Sequence, residues 1–230
     1  SAARAAARDL VERQPARTRI GVVAFAAAAA QVQALADARR AILAALDRLQ
    51  LQQATAIGSG LLVALKAIEP SLPIDLRGVD PRGDPRGDPQ RWPEPVEPGS
   101  NGSAAIVLLS DGQSVTGPDP LVAARLVAER GVRVHTVGLG TPAGAVLSVQ
   151  GWSMRVRLDE ETLRKIADQT RGDYYAAADA GELERVYRTL GLRLAFERQR
   201  MEVTSLFAGA GALLLALSAG LSLGRVRRVF

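Results

Sequence analysis

Cysteine is absent from this chain of 230 residues, which excludes a disulfide framework and thiolate metal sites alike and leaves the redox compartment open. Aromatic residues make up only 4%, too few for the stacking platforms that single-stranded nucleic acids need. The formal net charge of +5 therefore reads as diffuse basicity, since the arginines are spread along the chain rather than gathered in one stretch. Histidine occurs once, at His135, inside an apolar run. A Ser-His-Asp site would need that ring to reach the rim of a sheet, so a strand-face role fits it better. The chain also lacks an initiator Met, and "SAARAAARDLVERQ" is helix-like from its first residues with no cap or strand before it, so the chain is expected to start inside a domain.

Two segments depart from ordinary globular sequence. Leu206 to Leu223 carries no charge over 18 residues, and at the helical rise it spans roughly 27 Å, enough for a hydrocarbon core. A transmembrane helix is expected over 204–224, with the basic tail 225–230 (Arg225, Arg227 and Arg228) in the cytoplasm and the preceding domain, 1–200, outside it. The second segment, 70–103, contains "DPRGDPRGDPQRWPEPVEPGS", and its dense Pro, Gly, Asp and Arg predict a disordered insertion in a surface loop. Its two Arg-Gly-Asp tripeptides, at 82–84 and 86–88, arise automatically from a short repeat and need no adhesive role.

Elsewhere strands and helices alternate. "RIGVVAFA" (19–26) predicts a central strand and "AQVQAL" (30–35) an edge strand; Asp37 is expected to cap a helix in which Ile42, Leu43, Leu46 and Leu49 recur at helical spacing. A helix over Ile57–Ile68 ends at Pro70. Ala104–Leu109 is apolar on both faces, as a buried parallel strand should be. A helix over Pro120–Arg130 follows, capped by Asp119 and closed by Gly131, then the strand "VRVHTVGL", a hairpin turning at Gln150-Gly151, a helix capped by Asp159 and ended by Gly172, the short strand "DYYAA", and a long helix over 180–200. The alternation predicts an α/β architecture: an open sheet of mostly parallel strands with helices on both faces.

In such sheets ligands bind beyond the carboxyl ends of the strands. Asp111, in "IVLLSDGQSV", belongs to that rim, and Thr55 joins it if the loop before Ile57 returns to the same edge. A carboxylate and a hydroxyl from separate loops are hard oxygen donors suited to Mg²⁺ or Ca²⁺. On residues alone, Ser-Asp-Gly is also ordinary turn chemistry. "GLGTPA" (138–143) fits the dinucleotide spacing, but Pro142 and the strand-like "AVLSV" stand where a helix should open. Asp159, Glu160 and Glu161 sit at a helix start, where the dipole favours negative charge. Tyr174 and Tyr175 are expected to pack beside the sheet.

Taken in order, "RIGVVAFA", "ATAIGSGL", "IVLLSDGQS" and "VRVHTVGLG" resemble the von Willebrand factor type A (VWA) domain, a Rossmann-like fold. "GPDPLVAARLVAERGVRVHTVGLG" and "RLDEETLRKIADQTRGDYYAAADAGELERVY", with an apolar helix after them, look like the bacterial membrane-anchored Bat, or aerotolerance, proteins. The resemblance covers nearly the whole chain. It implies a metal-ion-dependent adhesion site (MIDAS), built from Asp-x-Ser-x-Ser after the first strand, a Thr matched here by Thr55, and an Asp matched by Asp111. Asp-x-Ser-x-Ser occurs nowhere in this sequence, so the first strand and three of five ligands are expected to be missing by truncation.

What the resemblance implies is a membrane-anchored domain of the bacterial envelope that binds a protein partner through a divalent cation, Mg²⁺ for instance, completed by a partner carboxylate. It implies no enzyme. A MoxR-type ATPase is an implied associate. With so few ligands the chain is expected to hold the metal only weakly. Two alternatives stay open: a metal-independent scaffold with a degenerate site, and a nucleotide-dependent Rossmann enzyme, which lacks a genuine Gly-rich strand-to-helix turn.

Overall fold

The structure, a computed structural model, describes residues 2–49, 55–74, 85, 91–139, 145–149, 152–156, 158–177, 181, 182, 185, 186 and 189. Its elements are α1 (Ala2–Arg13), β1 (Ile20–Phe25), β2 (Ala29–Ala36), α2 (Arg39–Arg48), α3 (Ile57–Ile68), β3 (Ala105–Ser110), α4 (Pro120–Glu129), β4 (Arg133–Leu139), β5 (Ala145–Val149), β6 (Trp152–Val156), α5 (Glu160–Gln169) and β7 (Tyr174–Ala177). β3, β4 and β7 form a parallel sheet in the order β3-β4-β7, in register from Ala105 opposite Arg133 to Ser110 opposite Gly138. β1 and β2 form a separate antiparallel ladder, and β5 and β6 a hairpin in which Val149 faces Trp152 across residues 150 and 151.

The main core lies on one face of the parallel sheet. Alternate residues of β3, Ile106 and Leu108, meet Val134 of β4 and the apolar faces of three helices: Ile57, Leu61, Leu62 and Leu65 of α3, Leu126 and Val127 of α4, and Leu163 and Ile166 of α5. Each fully buried Leu or Ile contributes about 1.5–3 kcal/mol relative to exposure. The opposite face, with Val107, Leu109, Val137 and Tyr175, packs against Leu10 of α1. Tyr174 belongs to the first cluster, so the two adjacent tyrosines divide across the sheet.

The expected central strand is a correction. β1 pairs with β2 alone and β3 with β4 alone among the described residues, so the sheet is not continuous and one edge of each strand has no ladder partner. Every residue of the apolar β1 is only half-buried. β-branched composition reports that a strand has apolar neighbours on its faces; it says nothing of how many edges are paired. α3 bridges the interruption, packing on β1, β2 and β3, with Gly60 placed so that a Cβ would lie 3.0 Å from the Phe25 ring.

Of the segment expected to be disordered, 70–103, the described residues are mostly exposed, with a few apolar ones packed on the core. Leu72 and Ile74 are 2% and 4% exposed, and Trp92 packs on the main core. Arg130 forms a two-pronged pair with Glu69, at 3.0 and 3.3 Å, and its remaining nitrogen donates to the Glu94 carbonyl. Val96 N–H donates to the Glu129 carbonyl at 2.9 Å. Apolar residues scattered among prolines thus anchor the ends of the insertion, while both Arg-Gly-Asp tripeptides lie outside the described residues. So do residues 204–230 and most of 180–200, where a membrane helix and the helix leading to it were expected. No helix among the described residues is long and apolar enough to cross a membrane.

Two helix ends differ from expectation. Asp37 does not cap α2, whose N-cap is Ala38; Arg39 instead donates to the carbonyls of Gln14, Pro15 and Thr18 and ties α2 to the end of α1. At the end of α5 the left-handed residue is Arg171 (φ 59°), not Gly172. Gly172 is required for a different reason: a Cβ there would lie 2.0 Å from the Val134 carbonyl oxygen.

The same end of α5 is locked to β4 by Thr170, which is fully buried, accepts from the Val134 N–H at 3.0 Å and donates into the last turn of its own helix. Thr170→Val keeps the shape but strands a buried N–H. Chemical denaturation should show a loss of about 1–3 kcal/mol with an unchanged m-value.

Candidate functional site

β3 carries Asp111 to the carboxyl rim of the sheet and the turn after it is fastened at both ends. The Asp111 carbonyl accepts from the Asp159 N–H at 2.8 Å, and its side-chain Oδ1 accepts from the Gln113 N–H at 3.1 Å. Ser110 Oγ accepts from the Gly112 N–H at 3.1 Å. Gly112 needs its lack of a side chain twice over: its φ is 82°, and a Cβ would lie 2.3 Å from the Asp159 carbonyl oxygen. Asp159 in turn caps α5, accepting from the Thr162 N–H and hydroxyl, so the acidic cluster expected at this helix start serves the helix.

Thr55 lies in the approach to α3, and its backbone is stitched to the loop that follows Asp111. Its carbonyl accepts from the Val115 N–H at 2.9 Å and the Thr116 N–H at 3.4 Å. Ser114 Oγ accepts from the Ile57 N–H at 3.3 Å, taking up one of the donors that a helix start leaves unpaired, and donates to the Thr55 carbonyl at 3.5 Å. Thr116 Oγ1 donates to the Ala27 carbonyl and adds the end of the β1 hairpin to the same assembly. The two loops expected to meet at the rim therefore do meet.

Ser114 and Asp159 were not singled out from sequence as parts of this assembly. Ser114 stands three residues after Asp111 in a turn-forming stretch, where a hydroxyl commonly serves its own backbone; here it serves a helix from another part of the chain. The roles of Asp119 and His135 fall as expected. Asp119 caps α4, accepting from Leu121 and Val122 N–H groups at 2.7 and 3.3 Å. His135 is 4% exposed near the start of β4, at the opposite end of the strand from the rim. "GLGTPA" begins at the end of β4, and the next element is the strand β5 rather than a helix.

Thr55 and Asp111 bear oxygen donors of the hardness that suits Mg²⁺. They fit in kind. In number they fall short of octahedral coordination, and no group of three or more His, Asp or Glu side chains among the described residues could hold a metal.

Residues 1–113 match the von Willebrand factor type A domain family. The chain carries a von Willebrand factor type A domain. A UPF0353 protein of Mycolicibacterium paratuberculosis is 33% identical over 225 residues, 95% of this chain and 61% of that protein, so the chain spans about three fifths of its relative's length. Among solved structures, BatB from Bacteroides thetaiotaomicron superposes with a TM-score of 0.63 at 20% identity, covering 86% of this chain and 87% of that one. An aerotolerance-related membrane protein from Bacteroides fragilis gives 0.60 at 19% identity, covering 84% and 87%. Proximal thread matrix protein 1 of the mussel byssus, solved with a zinc-occupied MIDAS motif, gives 0.54 at 21% identity, covering 84% of this chain and 40% of that one. At these identities the superpositions establish the fold. VWA domains are generally interaction modules.

Beside the rim, Tyr174 packs under Arg164, whose guanidinium carbon is 4.3 Å from the ring centroid, and its phenol is pushed up to about 12, chiefly by burial and then by the Glu160 carboxylate. An unfolded tyrosine ionises near 10, so between about 10 and about 12 the native VWA domain binds more protons and loses stability as pH rises. Alkaline unfolding of Tyr174→Phe should show a shallower decline than the wild type across that window. A Gly112→Ala chain should lose about 1–3 kcal/mol in chemical denaturation, because neither the backbone conformation nor the Asp159 carbonyl accommodates the added methyl.

Proposed function

We propose that this VWA domain mediates metal-dependent protein–protein interaction, with Thr55 and Asp111 as cation ligands and a carboxylate of the partner completing the coordination. The observation that supports this reading is the stitching of the Thr55 and Asp111 loops at one rim, through Val115, Thr116 and Ser114, which holds a hydroxyl-bearing and a carboxylate-bearing loop in a fixed relation. Such a site binds and changes shape; it catalyses nothing.

The membrane setting belongs to the same proposal. The uncharged run from Leu206 to Leu223 serves as a single anchor, the VWA domain stands outside the cytoplasm, and the tail with Arg225, Arg227 and Arg228 remains inside. Association with a MoxR-type ATPase in an envelope assembly is part of the proposal through the Bat resemblance. The alternative is a metal-independent scaffold, which the shortage of ligands among the described residues favours.

Calorimetric titration of the full-length protein with Mg²⁺ separates the two. Metal-dependent binding predicts saturable heat in the wild type and at least a tenfold loss in Asp111→Ala, the cost of one charged oxygen donor. Thr55→Ala should weaken binding less. Indistinguishable titrations of wild type and Asp111→Ala would sink the assignment.

A further inference from the structure

Asparagine occurs once in the chain, at Asn101, and the residue after it is Gly102. The pair lies in the turn just before β3. Both residues are half-buried and Ser103 is exposed, so water reaches the turn.

Three hydrogen bonds set its geometry. Ser100 N–H donates to the Glu97 carbonyl at 3.1 Å and Asn101 N–H to the Gly131 carbonyl at 3.0 Å, which ties the main chain to the turn between α4 and β4. The third bond is made by the side chain: Asn101 Oδ1 accepts from the Ser103 N–H at 2.9 Å. A carboxamide bonded to the N–H two residues on is folded over the peptide that leads there. Its carbonyl carbon is thereby held on the side of the Gly102 nitrogen, and the bond to Oδ1 draws electron density away from that carbon.

The Gly102 N–H makes no hydrogen bond among the described residues. Glycine also has no Cβ to shield its own nitrogen from a neighbouring group. In a helix or a sheet ladder the N–H after an asparagine is occupied, and giving it up for another reaction costs a bond. Here that cost is absent. A polarised carbon and an unengaged nitrogen stand next to each other in one chain, and ring closure between adjacent groups avoids the entropy loss of bringing two molecules together.

We propose that Asn101 is a site of self-modification, converted in the folded domain to a mixture of aspartate and isoaspartate. Solvent hydroxide takes the Gly102 amide proton, and the nitrogen attacks the Asn101 side-chain carbonyl carbon. A five-membered imide forms as the C–N bond of the carboxamide breaks and ammonia leaves with a proton from water. Water then adds to either imide carbonyl. Opening at one carbonyl gives aspartate, and opening at the other gives isoaspartate, in which the main chain runs through the side-chain carbons. No redox partner is needed. Either product places a carboxylate in the turn, and isoaspartate adds one methylene to the main chain between the Gly131 anchor and β3, which begins at Ala105.

The test incubates the full-length protein in heavy-oxygen water at mildly alkaline pH, natively and unfolded in guanidinium chloride, and follows the peptide containing Asn101 by mass spectrometry. Fragmentation that breaks the main chain beside the side-chain carbons distinguishes isoaspartate from aspartate. The native protein should take up one heavy oxygen at this peptide, at a rate within severalfold of the unfolded chain, with both products present. Gly102→Ala should slow conversion severalfold in the native state; Gly102 lies outside the left-handed region, so alanine is accommodated there. Asn101→Gln should abolish the uptake over the same period, because its longer carboxamide closes a six-membered ring far more slowly, and it decides the matter if Gly102→Ala fails to fold. A native protein that stays unconverted while the unfolded chain reacts overturns the proposal, as does conversion of either variant at the wild-type rate.

Discussion

The apolar face of α3 is the constraint on which the rest depends. β1–β2 and β3–β4–β7 are separate ladders, and α3 lies against both, burying Ile57, Leu61, Leu62 and Leu65 on the main core. Because α3 starts at Ile57, burial of that face also fixes Thr55 beside the turn after Asp111. The rim geometry is therefore a by-product of hydrophobic packing: the same residues that close the core place the two oxygen-bearing loops together. Short hydrogen bonds then set the detail, with the Thr55 carbonyl taking two N–H groups from the opposite loop.

Much of this was legible in the sequence. The alternation of apolar strands with amphipathic helices located nearly every element, because α3, α4 and α5 carry strong 3.6-residue periodicity bounded by plain signals such as Asp119 and Asp159. The positions of Asp111 at the end of a buried strand and of Thr55 before a helix were legible, whereas a cation role for them came only from the resemblance to the VWA domain. Less legible was anything that depends on which strands pair. "RIGVVAFA" reads as central because its composition is that of a buried strand, yet β1 has a single ladder partner among the described residues. The average composition of the Pro-rich segment hides Leu72, Ile74 and Trp92, which pack on the core near its described ends.

Residues acting across long sequence separations were the hardest to find. Ser114 caps a helix that starts 57 residues earlier, and Asp159 supports a turn 48 residues before it. Neither contact leaves a local pattern, since each looks like an ordinary turn or cap residue in its own stretch. Arg171 is similar. A left-handed arginine followed by glycine resembles a common helix stop, and only the proximity of Val134 shows why the glycine stands one place later.

α5 has both of its ends committed to the sheet. Its N-cap hangs from the Asp111 carbonyl, and its last turn is fastened to β4 through Thr170. A loop so attached is stiff: displacing it means lifting one end of a helix whose other end is clamped, rather than bending a few free residues. The consequence is entropic. Little freedom remains in the Asp111 turn to be lost if something docks there, so less of the strength of contacts made at the rim would be consumed in ordering the receptor.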